Sequence, residues 1–178
     1  MTRAARREWA FATEAIARGD LLLLLDDEAA ADHPVAPGDR LWLLPSWRSE
    51  RPEAVKRAWW PEISRANRTR PADGSELVRC RCEIVTTTAL DDDARRRIAP
   101  FHPWSVEGAR DARRALLVRA EARAVPLALD APASDLTYLE LAQDPPEQGL
   151  LPALTPEAFA LHRLPLEHQL EGTDASRR

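Results

Sequence analysis

Three features of this chain hold residue types whose spacing could do chemistry. They are the pair Cys80-x-Cys82, the run Phe101-His102-Pro103-Trp104-Ser105, and arginines interleaved with tryptophans. Two thiols one residue apart could serve zinc or redox chemistry, but zinc sites usually take four ligands and there is no second cysteine pair. Strand alternation instead sets both thiols in a row with Val78 and Ile84, where cysteine acts as a small hydrophobe. Core packing is therefore expected there, with no metal and no cofactor. His102, between an aromatic and a proline just before a helix, could act as a general base or join Trp104 in a base-stacking surface. In the competing reading His102 bonds backbone at a turn while Trp104 plugs the core. That reading is favoured because buried aromatics dominate packing.

Other chemistries lack their residues. A metal-dependent restriction nuclease needs an acid-x-Lys pair on a strand to hold Mg²⁺ and activate water. Lys56, the one lysine, lies instead in a helical segment between Val55 and Arg57. Asp91, Asp92 and Asp93 are explained by the dipole of the helix they open. No Gly-x-Ser-x-Gly elbow and no Gly-x-x-x-x-Gly-Lys phosphate loop occurs in a chain with only 6 glycines.

The arginines remain. Arg79 and Arg81 alternate along one strand and Arg119 and Arg123 along another, on sides expected to face solvent, where Glu83 and Glu121 could pair with them. A salt-bridged sheet face is the plain reading. The functional reading adds Arg65, Arg68 and Arg70, with Trp47 and Trp59 or Trp60, as cations among stacking rings on nucleic acid. Because the net charge is −4, such a site must be a local patch. The arginine excess, beside many alanines and 15 prolines, also reads as a bias of GC-rich coding DNA.

These residues must be positioned by a chain of 178 residues, enough for one core. Two cysteines exclude a disulfide-framed scaffold. The longest apolar run, Leu21 to Leu25, is far short of the ~20 residues of a membrane span. Acids also interrupt any leader-like stretch after Arg3, Arg6 and Arg7, so a cytoplasmic protein is expected.

Helical spacing predicts a helix over 3–18, stopped by Gly19, then strands over 21–25 and 41–44 separated by a polar loop. A loop holding Trp47, Arg48 and Arg51 precedes a predicted helix from Pro52 to about Ser64, broken or kinked at Pro61, and residues 65–75 read as an exposed connection. Residues 76–88 give the cleanest strand, with Val78, Cys80, Cys82 and Ile84 on one face. A helix over 91–98, another capped by Ser105, a strand over 116–125 and a terminal helix from Thr155 to about Leu170 complete the pattern. The expected fold is a single α+β domain over residues 1–170, a small mixed or mainly antiparallel sheet flanked by helices, with a frayed tail at 171–178.

The order of several short motifs resembles the bacterial domain-of-unknown-function family 1802. They are Arg7-Glu8-Trp9-Ala10, Gly19 before the Leu-rich strand, Leu43-Leu44-Pro45-Ser46, His102-Pro103-Trp104-Ser105, Leu117-Val118-Arg119, and the run from Pro152 through Thr155-Pro156-Glu157 to Phe159. Asp26-Asp27-Glu28 stands where that family tends to carry an Arg-Lys-Gly-Gly-like stretch. Members are sometimes joined to restriction-endonuclease domains, so the resemblance implies a recognition or accessory role in DNA restriction or defence, with such a nuclease as partner.

The leading expectation is thus a non-catalytic nucleic-acid-binding or accessory module using Arg65, Arg68, Arg70, Arg79, Arg81, Arg119, Arg123, Trp47, His102 and Trp104. It requires the arginines to share one face. The alternatives are a hydrolase with His102 as base beside Glu107 or Asp91, and a protein–protein adaptor using some of the 6 tryptophans.

Overall fold

A computed structural model describes residues 3–27, 35–47, 52–73, 75–129 and 136–171. Its elements run β1 (Ala4–Trp9), α1 (Ala10–Arg18), β2 (Leu23–Asp26), β3 (Arg40–Ser46), α2 (Trp60–Arg68) and β4 (Glu76–Ala89). They continue with α3 (Asp92–Ile98), β5 (Arg114–Leu129), β6 (Tyr138–Glu140), β7 (Leu150–Pro152) and α4 (Pro156–Glu171). Parts of the polar loop after β2, Arg48 and Arg51, Gly74 and the tail from 172 lie outside the described residues.

The sheet is mixed and mostly antiparallel, in the order β2-β5-β4-β3-β1-β6, with β7 added against β5. Among the described strands only β1 and β3 pair in parallel, Arg6 opposite Leu43. The long β4–β5 ribbon is its spine. This is a single α+β domain, as expected.

The sheet cannot be flat. Three strands separate β1 from β2, which at ~4.8 Å per strand would hold them roughly 19 Å apart. Yet the Arg6 guanidinium on β1 bonds Asp26 Oδ1 on β2 at 2.8 Å and the Leu25 carbonyl at 2.6 Å. The sheet therefore curls until its two margins meet around one side chain. Inside the curl sits α1, whose Ala10, Ala12, Ala15 and Ala17 are small enough to let it close on the strands. Phe11 and Ile16 fill the space against Leu41, Leu43, Cys82, Ile84 and Val118. On the outer face, α3 and α4 bring Ile98, Phe159 and Leu166 over Leu23 and Leu117. Further along that face, Trp42 packs with Ala5, Leu44 and Val78.

Several expectations change. Residues 4–9 form a strand, not the first turns of a helix, because β1 finds partners on both sides in β3 and β6. Val78 packs on the face opposite Cys80, since the ladder breaks register between them. Pro61 opens α2 rather than breaking a helix, for a proline in the first turn forfeits no needed N–H. Short 3-10 turns occupy Pro52–Ala54 and Arg57–Trp59, and α2 carries Arg65 and Arg68. No helix follows Ser105. Its hydroxyl accepts the Gly108 N–H at 3.1 Å, but its own N–H donates to the Ala54 carbonyl at 2.8 Å, which ties the loop down after one turn.

Candidate functional site

The arginines expected at one nucleic-acid surface are divided between the two sides of the sheet. Arg79, where the register breaks, turns toward α1 and pairs with Glu14 at 2.5 Å. Arg81 points to the outer face and is only 5% exposed. It bonds Glu121 at 2.6 Å and also Glu147, and lies 5.7 Å from the centre of the Trp42 ring. Its donors are occupied, so the expectation of a solvent-facing Arg81 is corrected. Arg119 pairs with Glu83 at 2.7 Å on the outer face, and Arg123 donates to the Pro146 carbonyl. Here the plain reading of a salt-bridged sheet face holds.

Two aromatic expectations change as well. Trp104 is buried, with its ring edge-on to Trp9 at 4.9 Å and to Phe11 at 5.5 Å between centres, so it is a core plug and presents no stacking face. Trp47 packs half-buried against the same core cluster.

His102 is buried at 4% exposure, and its Nδ1 has no hydrogen-bond partner. Burial, and after it the Lys56 charge, push its pKa down to about 4. The acids considered as its catalytic partners are engaged elsewhere. Asp91 caps α3 by accepting the Ala94 N–H at 2.6 Å, and Glu107 pairs with Arg110 at 3.2 Å. The three do not converge in one cleft. What His102 does supply is its carbonyl, which accepts from Lys56 Nζ at 2.6 Å while the Ala99 carbonyl accepts from the same ammonium. Burial lowers the Lys56 pKa.

Cys80 and Cys82 are free thiols in the core under α1. The hydrogen bond between them, then burial, raises the Cys82 thiol well above its ordinary value, so it does not supply a thiolate. Among the described residues, no group of three His, Cys, Asp or Glu side chains could hold a metal ion. No helix among them is long and apolar enough to cross a membrane.

The exposed face of α2 keeps the remaining cations together. The Arg57 guanidinium lies 5.8 Å from the centre of the Trp60 ring, which is 42% exposed. Ile63 and Ala66 anchor the helix against the core, so Ser64, Asn67 and Arg68 look outward, and Arg70 follows just beyond the helix end. Arg65 is paired with Glu62 at 2.8 Å.

Sequence reasoning missed a cluster of three buried charges. Arg6, Glu8 and Asp26 are 4%, 6% and 3% exposed. Arg6 bonds Asp26, the Tyr138 hydroxyl and the Leu25 carbonyl, with Glu8 at 3.3 Å, while Arg114 takes the other Asp26 oxygen at 2.6 Å. Burial works against the Arg6 charge, but Glu8, Tyr138 and Asp26 hold its pKa above the ordinary value. Burial raises the Glu8 carboxyl and pushes the Tyr138 phenol up to about 12. These groups answer one another and form a clamp across the two margins of the sheet. A signal existed: Arg6 and Glu8 stand at period two, and Asp26 ends an apolar strand.

Compared with family models, with curated protein sequences and with solved structures, the chain matches none.

Proposed function

We propose that the chain is a non-catalytic nucleic-acid-binding or accessory module whose contact surface is the outer face of α2. The observation that carries this reading is the Arg57–Trp60 pair, a cation over a half-open indole, on the helix that also presents Arg68 and leads to Arg70. A ring of this kind stacks on a base while guanidinium groups neutralise phosphates on either side. The arginines of the sheet are not part of the surface. A role in restriction or defence, alongside a restriction-type nuclease, rests on the sequence resemblance alone. An adaptor using exposed tryptophans has less support, since Trp60 is the one exposed tryptophan and an arginine covers it.

Fluorescence anisotropy with labelled single- and double-stranded DNA and RNA, at low and near-physiological salt, tests the reading. Expected is salt-sensitive binding that weakens about tenfold in Arg68→Glu/Arg70→Glu, weakens in Trp60→Ala, and is unchanged in Arg119→Glu. Absence of binding at low salt, or equal loss in Arg119→Glu, defeats it.

A further inference from the structure

A pocket opens where the loop after α3 meets the turn at Ser105. It has a volume of about 310 Å³ and is lined by apolar surface of Trp104, Val106 and Ala109, with His102 among the lining residues. Its rim is cationic. Lys56, Arg95, Arg96 and Arg110 line it against a single carboxylate, Asp92. Two observations point to a ligand. First, His102 is buried, yet its Nδ1 has no partner within the protein, and an unsatisfied buried polar atom is costly. Second, Arg96 pairs with Asp93, and Arg110 with Glu107 and at 3.8 Å with Asp111, all side chains at least as exposed as the arginines or nearly so. Such exposed pairs are worth little, so an incoming anion can compete for the guanidinium groups.

We propose that this pocket binds a small amphipathic carboxylate, with its apolar body against Trp104 and Ala109 and its carboxylate among Arg96, Arg110 and His102. An apolar body suits the walls, and a carboxylate can exchange for the exposed acids that pair with the rim arginines. The size agrees: the volume equals roughly ten waters at ~30 Å³ each, and an arylacetate has about as many non-hydrogen atoms. Since His102 stays neutral above its depressed pKa, it offers a ring N–H without adding a buried charge. Lys56 fixes the pocket's shape, because its ammonium bonds the Ala99 and His102 carbonyls and so holds the loop that forms one wall. The site is separate from the outer face of α2 and does not depend on nucleic-acid binding.

Isothermal calorimetry on the full chain with phenylacetate, and with phenylacetamide as its uncharged counterpart, tests the proposal. Phenylacetate is expected to bind at least about tenfold more tightly than the amide, and Arg96→Glu and Arg110→Glu to weaken it about tenfold each. Both arginines are exposed, so these variants should fold. A parallel readout uses the unaltered protein: the His102 ring resonances in NMR should move on adding phenylacetate. Equal affinity for acid and amide, no binding of either, unchanged affinity in both charge reversals, or a stationary His102 signal would each overturn it.

Discussion

At the scale of single residues, burial decides which charges are available and which are committed. His102 and Glu8 are both buried, yet they move stability in opposite directions with pH. The His102 pKa is depressed to about 4, so protonating it costs the folded state more than the unfolded one. Its contribution is complete above the ordinary value near 6.5 and is lost as pH falls toward 4. For Glu8 burial raises the pKa, so it is ionisation that is disfavoured in the folded state, and its term weakens stability as pH rises past the ordinary carboxylate value. The two terms overlap in weak acid. Comparing urea unfolding of the unaltered protein and His102→Asn isolates the first of them. Between neutral pH and about pH 4 the unaltered protein should lose on the order of 2–3 kcal/mol more than the variant. Parallel pH profiles would show that His102 titrates as an ordinary exposed ring.

At the scale of elements, the chain's turns depend on a few backbone positions. Gly19 ends α1 with φ +78°, and a Cβ there would lie 2.5 Å from Leu154 Cγ. Gly38 has φ +93° but nothing within 4 Å of such a Cβ. Gly38→Ala should therefore cost only the backbone strain, on the order of 1 kcal/mol. Gly19→Ala should cost about 1–2 kcal/mol more by urea unfolding, because Leu154 must also move. Equal costs would mean that Leu154 yields freely. Gly19 as a helix stop was legible in the sequence, as were β4, β5, α3 and α4, because their apolar spacing and caps agree. The first strand was not. Trp9, Ala12 and Ile16 follow the helical period, and Ala5 extends it backward by chance. The features that make residues 4–9 a strand are distant ones: partners in β3 and β6, and a buried acid on β2 that lets Arg6 point inward. Likewise Val78 keeps perfect alternation with Cys80 and Cys82, and only the irregular pairing with β5 turns it to the other face. The nucleic-acid surface failed to assemble on the sheet for the same reason. Whether an alternating arginine faces open solvent or a partner carboxylate, and on which side of the sheet, is set by strand order and register, which local spacing does not encode.

At the scale of the whole molecule, the clamp joins structure separated along the chain and across the sheet. Arg6 on β1 ties together Asp26 and Leu25 on β2 with Tyr138 on β6, and β2 and β6 end the strand path at its two margins. A sheet curled around α1 would otherwise present two edges, each with unpaired backbone groups. Removing the cation should thus do two things. Arg6→Met leaves Asp26 and Glu8 as buried acids with less compensation, which should lower global stability by about 3–5 kcal/mol. It should also loosen the margins before the spine. In amide hydrogen exchange, β2 and the β1–β6 pair are expected to lose protection about tenfold or more beyond the global loss, while the central β4–β5 amides follow global unfolding alone. Asp26→Asn keeps an acceptor for Arg6 but removes the charge, and should give the same pattern more weakly. If exchange rose uniformly over all strands in both variants, the curl would be held by α1 and its core contacts, with the buried charges merely tolerated inside it. A selective loss at the two margins would instead assign to one arginine the joining of the two ends of the sheet.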